Sequence, residues 1–205
     1  MRITRVSARR TRRLPRFASR DGIHLRCLAP ADADQVTDLL ARMSPDSRYQ
    51  RYFRLVRSFP PAVIARFVAV GPDHLAVGAF DGGLLVGTAQ YFRSSTCPDH
   101  AEVAVEVADS HHRRGVGARL VGELARVAAD HGITHLTATV LADNRPALAL
   151  VRASGWDVVT TADGPYVDVV VSLRRAPSWR RQFPATGAGR LTDPRTSRRT
   201  PLACS

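Results

Sequence analysis

The stretch Ala101–Gly117, AEVAVEVADSHHRRGVG, concentrates the residue types best able to do chemistry: two glutamates, two histidines, two arginines and two glycines. From Ala101 to Ala108, small and β-branched residues alternate with the two carboxylates. This predicts a strand with Val103, Val105 and Val107 on one pleat face and Glu102, Ala104 and Glu106 on the other. The run His111-His112-Arg113-Arg114-Gly115-Val116-Gly117 then predicts a glycine turn that opens a helix. A turn of this kind leaves backbone N–H groups without helical partners, and such donors favour phosphate. Arg113 and Arg114 add positive charge, so the local chemistry points to an anion site, with a plain helix-capping turn as the other reading. The dinucleotide fingerprint G-x-G-x-x-G is not met, because Leu120 stands where the third glycine belongs.

Holding these residues in place requires a succession of strands and helices. Asp21–Leu28 alternates as a half-buried strand. Pro30 and Asp32 start a helix whose apolar face is Val36, Leu39, Leu40 and Met43. Ser44–Phe53 restarts a helix with Pro45 in its first turn, where a missing N–H costs little, and Pro61–Val70 forms a third. His74–Phe80 and Leu84–Phe92 flank Asp81-Gly82-Gly83, a hairpin signal. Val116, Leu120, Leu124 and Val127 recur at helical spacing, so Arg113–His131 reads as an amphipathic helix closed by Gly132. His135–Leu141 follows as a strand, then a helix capped by Asn144 with Pro146 in its first turn. Trp156–Thr161 and Tyr166–Leu173 make a final strand pair. The alternation predicts a mixed α/β domain over residues 21–173.

The glycine turn has a counterpart one helix and one strand downstream, Asn144-Arg145-Pro146-Ala147, then Leu150, then Ser154-Gly155-Trp156. Together, His112–Gly117 and this later segment resemble the GNAT (GCN5-related) N-acyltransferase family, whose pyrophosphate loop reads Gln/Arg-x-x-Gly-x-Gly/Ala. His112 replaces the usual first residue. The resemblance spans roughly Asp21–Leu173 and implies a central mixed sheet flanked by helices, with acetyl-CoA as cosubstrate and no metal. It implies that Val105, Glu106 and Val107 offer main-chain groups to the pantetheine arm, and that an N–H near Val107 polarises the thioester carbonyl. It implies further that Arg113, Arg114, Gly115, Val116, Gly117 and Ala118 wrap the pyrophosphate, and that Asn144 lies beside the pantetheine or the sulfur.

The implied acceptor is an amine, which must lose a proton before it attacks. A carboxylate set in an apolar strand suits that role. Glu102, thirteen residues before Gly115, is the candidate general base, in a placement similar to the glutamate of protein-lysine acetyltransferases that modify acyl-CoA synthetases. The segment SPDSRYQRYF, residues 44–53, also resembles the Ser-Arg-Tyr helix of that subgroup, which puts it near the acceptor. Glu106 or a water chain is the alternative base. The non-catalytic reading leaves both glutamates solvated or paired with Arg93 or Arg66. Tyr49 is a candidate substrate contact, with a core position as the other reading. Family members often carry a Tyr seven residues after the late Asn; here that position is Val151, which leaves the general acid unassigned. His111 and His112 are expected as solvent-facing anion contacts. The leading expectation is acetyl transfer to a primary amine, with a protein lysine ahead of a small amine metabolite. A non-catalytic acyl-CoA-binding regulatory module and a polyanion-binding protein are the competing classes.

Charge is distributed unevenly. All thirty basic residues are Arg; eight lie in residues 1–20 and eight in 174–205. The intervening 21–173 holds fourteen Arg against seventeen Asp and Glu, a net charge of −3. Residues 1–20 are expected as a basic disordered arm and 174–205 as an Arg/Pro/Ser-rich disordered tail, with nucleic-acid contact through these tails as a minor reading. Cys27, Cys97 and Cys204 are widely spaced and odd in number, which argues against a disulfide framework or a zinc site. No apolar run reaches membrane-span length and the Arg-rich start lacks a secretory apolar block, so a cytoplasmic setting without membrane contact is expected.

Overall fold

The computed structural model describes residues 17–18, 22–71 and 73–173. The expectations for the rest of the 1–20 arm and for the 174–205 tail lie outside the described residues. Phe17–Ala18 (β1) pairs with the next strand, Phe17 opposite Leu25 and Ala18 opposite His24. The sheet thus enters the expected arm, in a two-residue strand too short to show any periodicity.

Eight strands form one sheet in the order β1-β2-β3-β4-β5-β6-β8-β7. Ile23–Cys27 (β2), His74–Asp81 (β3), Leu84–Arg93 (β4) and His100–Val107 (β5) run antiparallel to one another. His135–Leu141 (β6) lies parallel to β5, and Asp157–Asp163 (β7) and Tyr166–Ser172 (β8) close the sheet as a hairpin antiparallel to β6. β3 and β4 are buried on both faces, which is why their sequences read as near-continuous apolar runs.

Helices cover both sides. On one, Ala33–Arg42 (α1) and Pro61–Val68 (α3) pack Val36, Leu39, Leu40, Ile64 and Phe67 against Ala76, Phe80 and Leu85. On the other, Val116–Asp130 (α4) lays Leu120, Leu124, Val127 and Ala128 over Val77, Ala89, Tyr91 and Ala101. Pro45–Tyr52 (α2) lies over β5 and β6, and Arg145–Ala153 (α5) follows β6. Gly87 lets β4, β5 and α4 approach closely: a Cβ there would meet the Glu106 carbonyl at 2.9 Å and Leu120 Cδ1 at 3.0 Å.

Two expected helices are shorter. α3 stops at Val68, two residues early, because Ala69 is extended. α4 starts at Val116 rather than Arg113, because Arg113 (φ 57°) and Gly115 (φ 75°) both adopt left-handed conformations that no α-helix accommodates.

Candidate active site

The feature that builds the site is a V between β5 and β6. The two strands pair only over His100–Glu102 and His135–Thr137. Ala108 N–H donates to the Val86 carbonyl at 2.9 Å, and antiparallel alternation then turns the main chains of Glu102, Ala104 and Glu106 toward β4. The main-chain groups of Val103, Val105 and Val107 therefore face the other way, toward the V. Their side chains pack against the core under α4. Of the three residues expected to offer main-chain groups, Val105 and Val107 are placed to do so. The main chain of Glu106 faces β4.

The glycine turn lies at the open end of the V. After Val107 the chain makes a 3-10 turn over Asp109–His111 and reaches α4 through the left-handed Arg113 and Gly115. Gly115 is the N-cap and no side chain caps the helix, so the first-turn N–H groups of Val116, Gly117 and Ala118 are donors for an anion. Gly115 is needed for its backbone conformation; the space around its missing side chain is open. Gly117 is different: a Cβ there would make ordinary contacts with Leu150 Cδ2 at 3.7 Å and Val107 Cγ2 at 3.9 Å, so the fold itself does not require glycine.

The polar side chains around the turn divide. Arg113 is exposed. Arg114 Nη2 lies 3.7 Å from Asp81 Oδ2. His111, expected toward solvent, instead turns its ring inward to Asp81, with Nε2 at 3.1 Å. The carboxylate from the β3–β4 hairpin outcompetes solvent for it. His112 remains half exposed and its Nε2 lies 2.9 Å from the Val107 carbonyl, on the V side of β5. Asn144 caps α5, its Oδ1 accepting from Ala147 N–H at 3.1 Å. No residue of α5 is fully buried, Val151 included, so this helix leaves an apolar flank beside Gly117.

The two glutamates share a strand face but not an environment. Glu106 is 2% exposed and accepts from Arg51 Nε at 2.6 Å and from Thr88 Oγ1 at 2.7 Å. Burial pulls the Arg51 guanidinium down more than any one neighbour raises it, but the charge and hydrogen bond of Glu106, with Tyr52 and Glu102 acting in the same direction, together leave it raised. The Tyr52 hydroxyl is pushed well up by burial and then by Glu106, so it stays protonated. Glu106 is thus occupied by Arg51, a partner not anticipated among the candidate arginines.

Glu102 is exposed and opens onto a cleft of about 370 Å³ lined also by Thr137, Ala138, Thr139, Asp168, Val169 and Val170. Thr139 Oγ1 donates to Asp168 Oδ1 at 2.8 Å. Sequence reasoning did not select Asp168, because it comes from β8, a strand read only as closing the sheet. α2 packs on β5 and β6 on the Glu106 face of the sheet and does not itself line the cleft. Ser44 caps α2, and Phe53 ends it in a left-handed conformation, its ring 5.3 Å from Tyr166. Tyr49 is 45% exposed, which removes the core reading. Asp109, at the start of the glycine turn, accepts from Ser44 N–H (2.8 Å), Ser44 Oγ (3.0 Å) and Ser47 Oγ (2.6 Å). α2 is therefore fastened to β5 and its loop at both ends, by Asp109 and by Glu106.

A sequence profile described as the Acetyltransferase (GNAT) family matches residues 33–156. Among solved structures, the GNAT domain of S. lividans PAT is similar with a TM-score of 0.71 and 26% identity, covering 77% of this chain and 96% of that one. A cAMP-binding acyltransferase from Mycobacterium smegmatis gives 0.54 and 25%, covering 78% of this chain and 47% of that one. The PaiA N-acetyltransferase of Thermoplasma acidophilum, solved in complex with coenzyme A, shares the fold at 18% identity, with a TM-score of 0.59 and coverage of 73% and 98%. The chloroplastic GCN5-related N-acetyltransferase 7 of Arabidopsis thaliana is 35% identical over 89 residues, 43% of this chain. That match spans 29% of the plant protein, less than a third of its length.

Proposed function

The chain belongs to the GNAT family of acetyltransferases, and from that premise we propose that it transfers an acetyl group from acetyl-CoA to a primary amine, with a protein lysine as the acceptor. The pantetheine arm lies in the β5–β6 V against Val105 and Val107, and the pyrophosphate lies on the N–H groups of the Arg113–Ala118 turn. Phosphate charge at the uncapped start of α4 is favoured by the helix dipole as well as by the donors. Asn144 flanks the arm from the start of α5.

Glu102 takes a proton from the incoming ammonium. The neutral amine attacks the thioester carbonyl, whose developing oxyanion is met by the Val107 N–H. The C–S bond breaks, the electron pair leaves with the CoA sulfur, and the second proton of the attacking nitrogen passes through water to that thiolate, giving the amide and the CoA thiol. The observation that carries this reading is the position of Glu102 at the cleft where β5 and β6 part, while Glu106 is held by Arg51. Support for a lysine acceptor comes from the SPDSRYQRYF helix packed on the same two strands, and the slightly acidic domain suits a cationic substrate. A small-molecule amine is the second acceptor class, and a non-catalytic acyl-CoA-binding module is the reading to exclude.

The test is Glu102→Gln, assayed by CoA release against a panel of peptides and amines. The expected result is retained acetyl-CoA binding by calorimetry with turnover at neutral pH lowered by about 10²- to 10⁴-fold. Unchanged turnover excludes Glu102 as the base. Absence of turnover in the unmodified chain with every amine, together with tight acetyl-CoA binding, favours the regulatory module.

A further inference from the structure

The closed end of the V, opposite the glycine turn, carries a second group of side chains. His100 and His135 stand directly opposite each other in the β5–β6 register, their ring centroids 4.5 Å apart. Asp99 Oδ1 lies 4.0 Å from His100 Nε2. One ligand atom from each of Asp99, His100 and His135 lies within 4.8 Å of the other two. Two imidazoles and a carboxylate are a donor set for zinc and its first-row neighbours. All three residues are partly accessible, so an ion has a route in and room for water as a further ligand.

The surroundings are arranged as the outer shell of such a site. Thr134 Oγ1 donates to Asp99 Oδ2 at 2.8 Å, with a longer contact to the Asp99 carbonyl at 3.3 Å. A hydroxyl has one proton, so its 2.9 Å contact with His135 Nδ1 requires Thr134 to accept and His135 to carry the hydrogen on Nδ1. The lone pair of His135 is then on Nε2. Fixing the tautomer of a ligating imidazole from its second nitrogen is a recurring property of metal sites. Main-chain bonds from Thr134 N–H (2.7 Å) and His135 N–H (3.1 Å) to the Asp99 carbonyl hold the two strand starts together without any ion.

The geometry points to a zinc-class divalent cation site formed by Asp99, His100 and His135, which staples the start of β5 to the start of β6. In the parallel register the next pair on the same face is Glu102 and Thr137, roughly 6–7 Å along the strands. The ion is thus a structural clasp at the base of the acceptor cleft, outside the transfer chemistry. It is independent of the acceptor's identity and of whether Glu102 is the base.

The test uses the full-length, tag-free chain. Co²⁺ is added as a spectroscopic probe and Zn²⁺ affinity is measured by competition with a chromophoric chelator, alongside thermal melts with and without Zn²⁺. The expected result is one ion per chain, visible Co²⁺ bands, and a melting temperature raised by Zn²⁺. His100→Ala leaves the Thr134–Asp99–His135 network intact and is expected to abolish the bands and the thermal shift. Asp99→Asn is expected to weaken Zn²⁺ by at least about tenfold. No Co²⁺ bands in the unmodified chain, or variants whose Zn²⁺ affinity and thermal shift match those of the unmodified chain, overturns the site.

Discussion

Glu102 and Glu106 are two residues apart on one strand face, and their neighbours give them opposite tasks. Glu106 is sealed under α2 with Arg51 and Thr88, so its charge is matched inside the protein. Removing one member of a buried pair strands the other, at a cost of about 3–5 kcal/mol. Glu106→Ala is therefore expected to lower the midpoint of urea unfolding steeply, and Arg51→Met with Glu106→Leu to recover much of the loss. Equal stability of Glu106→Ala and the unmodified chain would show that the pair is not buried in solution. The same reasoning separates the glutamates as candidate bases. A base must reach the acceptor, and only Glu102 opens onto the cleft.

Among the elements, α2 matters most to the site because its own burial is slight. None of its residues is fully buried, so tethers rather than core packing hold it on β5 and β6. The N-terminal tether is Asp109, whose carboxylate takes three hydrogen bonds from Ser44 and Ser47. Asp109 also begins the turn that reaches α4. Asp109→Ala is expected to raise the acceptor KM several-fold with a smaller effect on acetyl-CoA affinity; steady-state kinetics varying each substrate in turn checks this. At the β2–α1 junction, Asp32 accepts from both Arg26 Nη atoms at 2.7 Å and from Ala29 N–H at 2.8 Å. These bonds, Arg26 first, hold its carboxyl below the usual range. A lowered folded-state pKa adds stability above the unfolded value of about 3.9, and that stability is lost as pH falls through the folded value. Asp32→Asn should therefore destabilise at pH 7 and make progressively less difference as pH falls below the unfolded carboxyl value, as read from denaturant midpoints across an acid pH series.

At the scale of the whole molecule, the formal charge of +12 misdescribes the part of the chain that carries the candidate site. The cleft and the V lie in the 21–173 segment, whose balance is slightly acidic, and every candidate site residue is in it. Removing residues 1–16 and 174–205 is expected to leave acetylation rates within about twofold, measured with the acceptor that supports turnover. A large, salt-sensitive rise in acceptor KM would instead make the tails part of recognition. Among the described residues no helix is long and apolar enough to cross a membrane.

Much of this architecture was written in local pattern. Val116, Leu120, Leu124 and Val127 recur at 3.6-residue spacing, Asp81-Gly82-Gly83 turns a hairpin, and Ser44 and Asn144 cap their helices, all effects between residues close in the chain. The glycine turn and the Glu102 face were legible for the same reason. The start of α4 was less so, because the left-handed Arg113 is a non-glycine residue with no composition signal.

What local pattern does not carry is which distant groups meet. The alternation of β5 put both glutamates on one face, but only the fold sent Arg51, 55 residues away, to Glu106 rather than to Glu102. It likewise turned His111 onto Asp81, brought Asp168 into the cleft, and set His100 opposite His135, 35 residues later. Backbone conformation follows from neighbours a few residues apart. Charge pairing, burial and ligand sets depend on through-space distance, which exists only once the sheet has chosen its register.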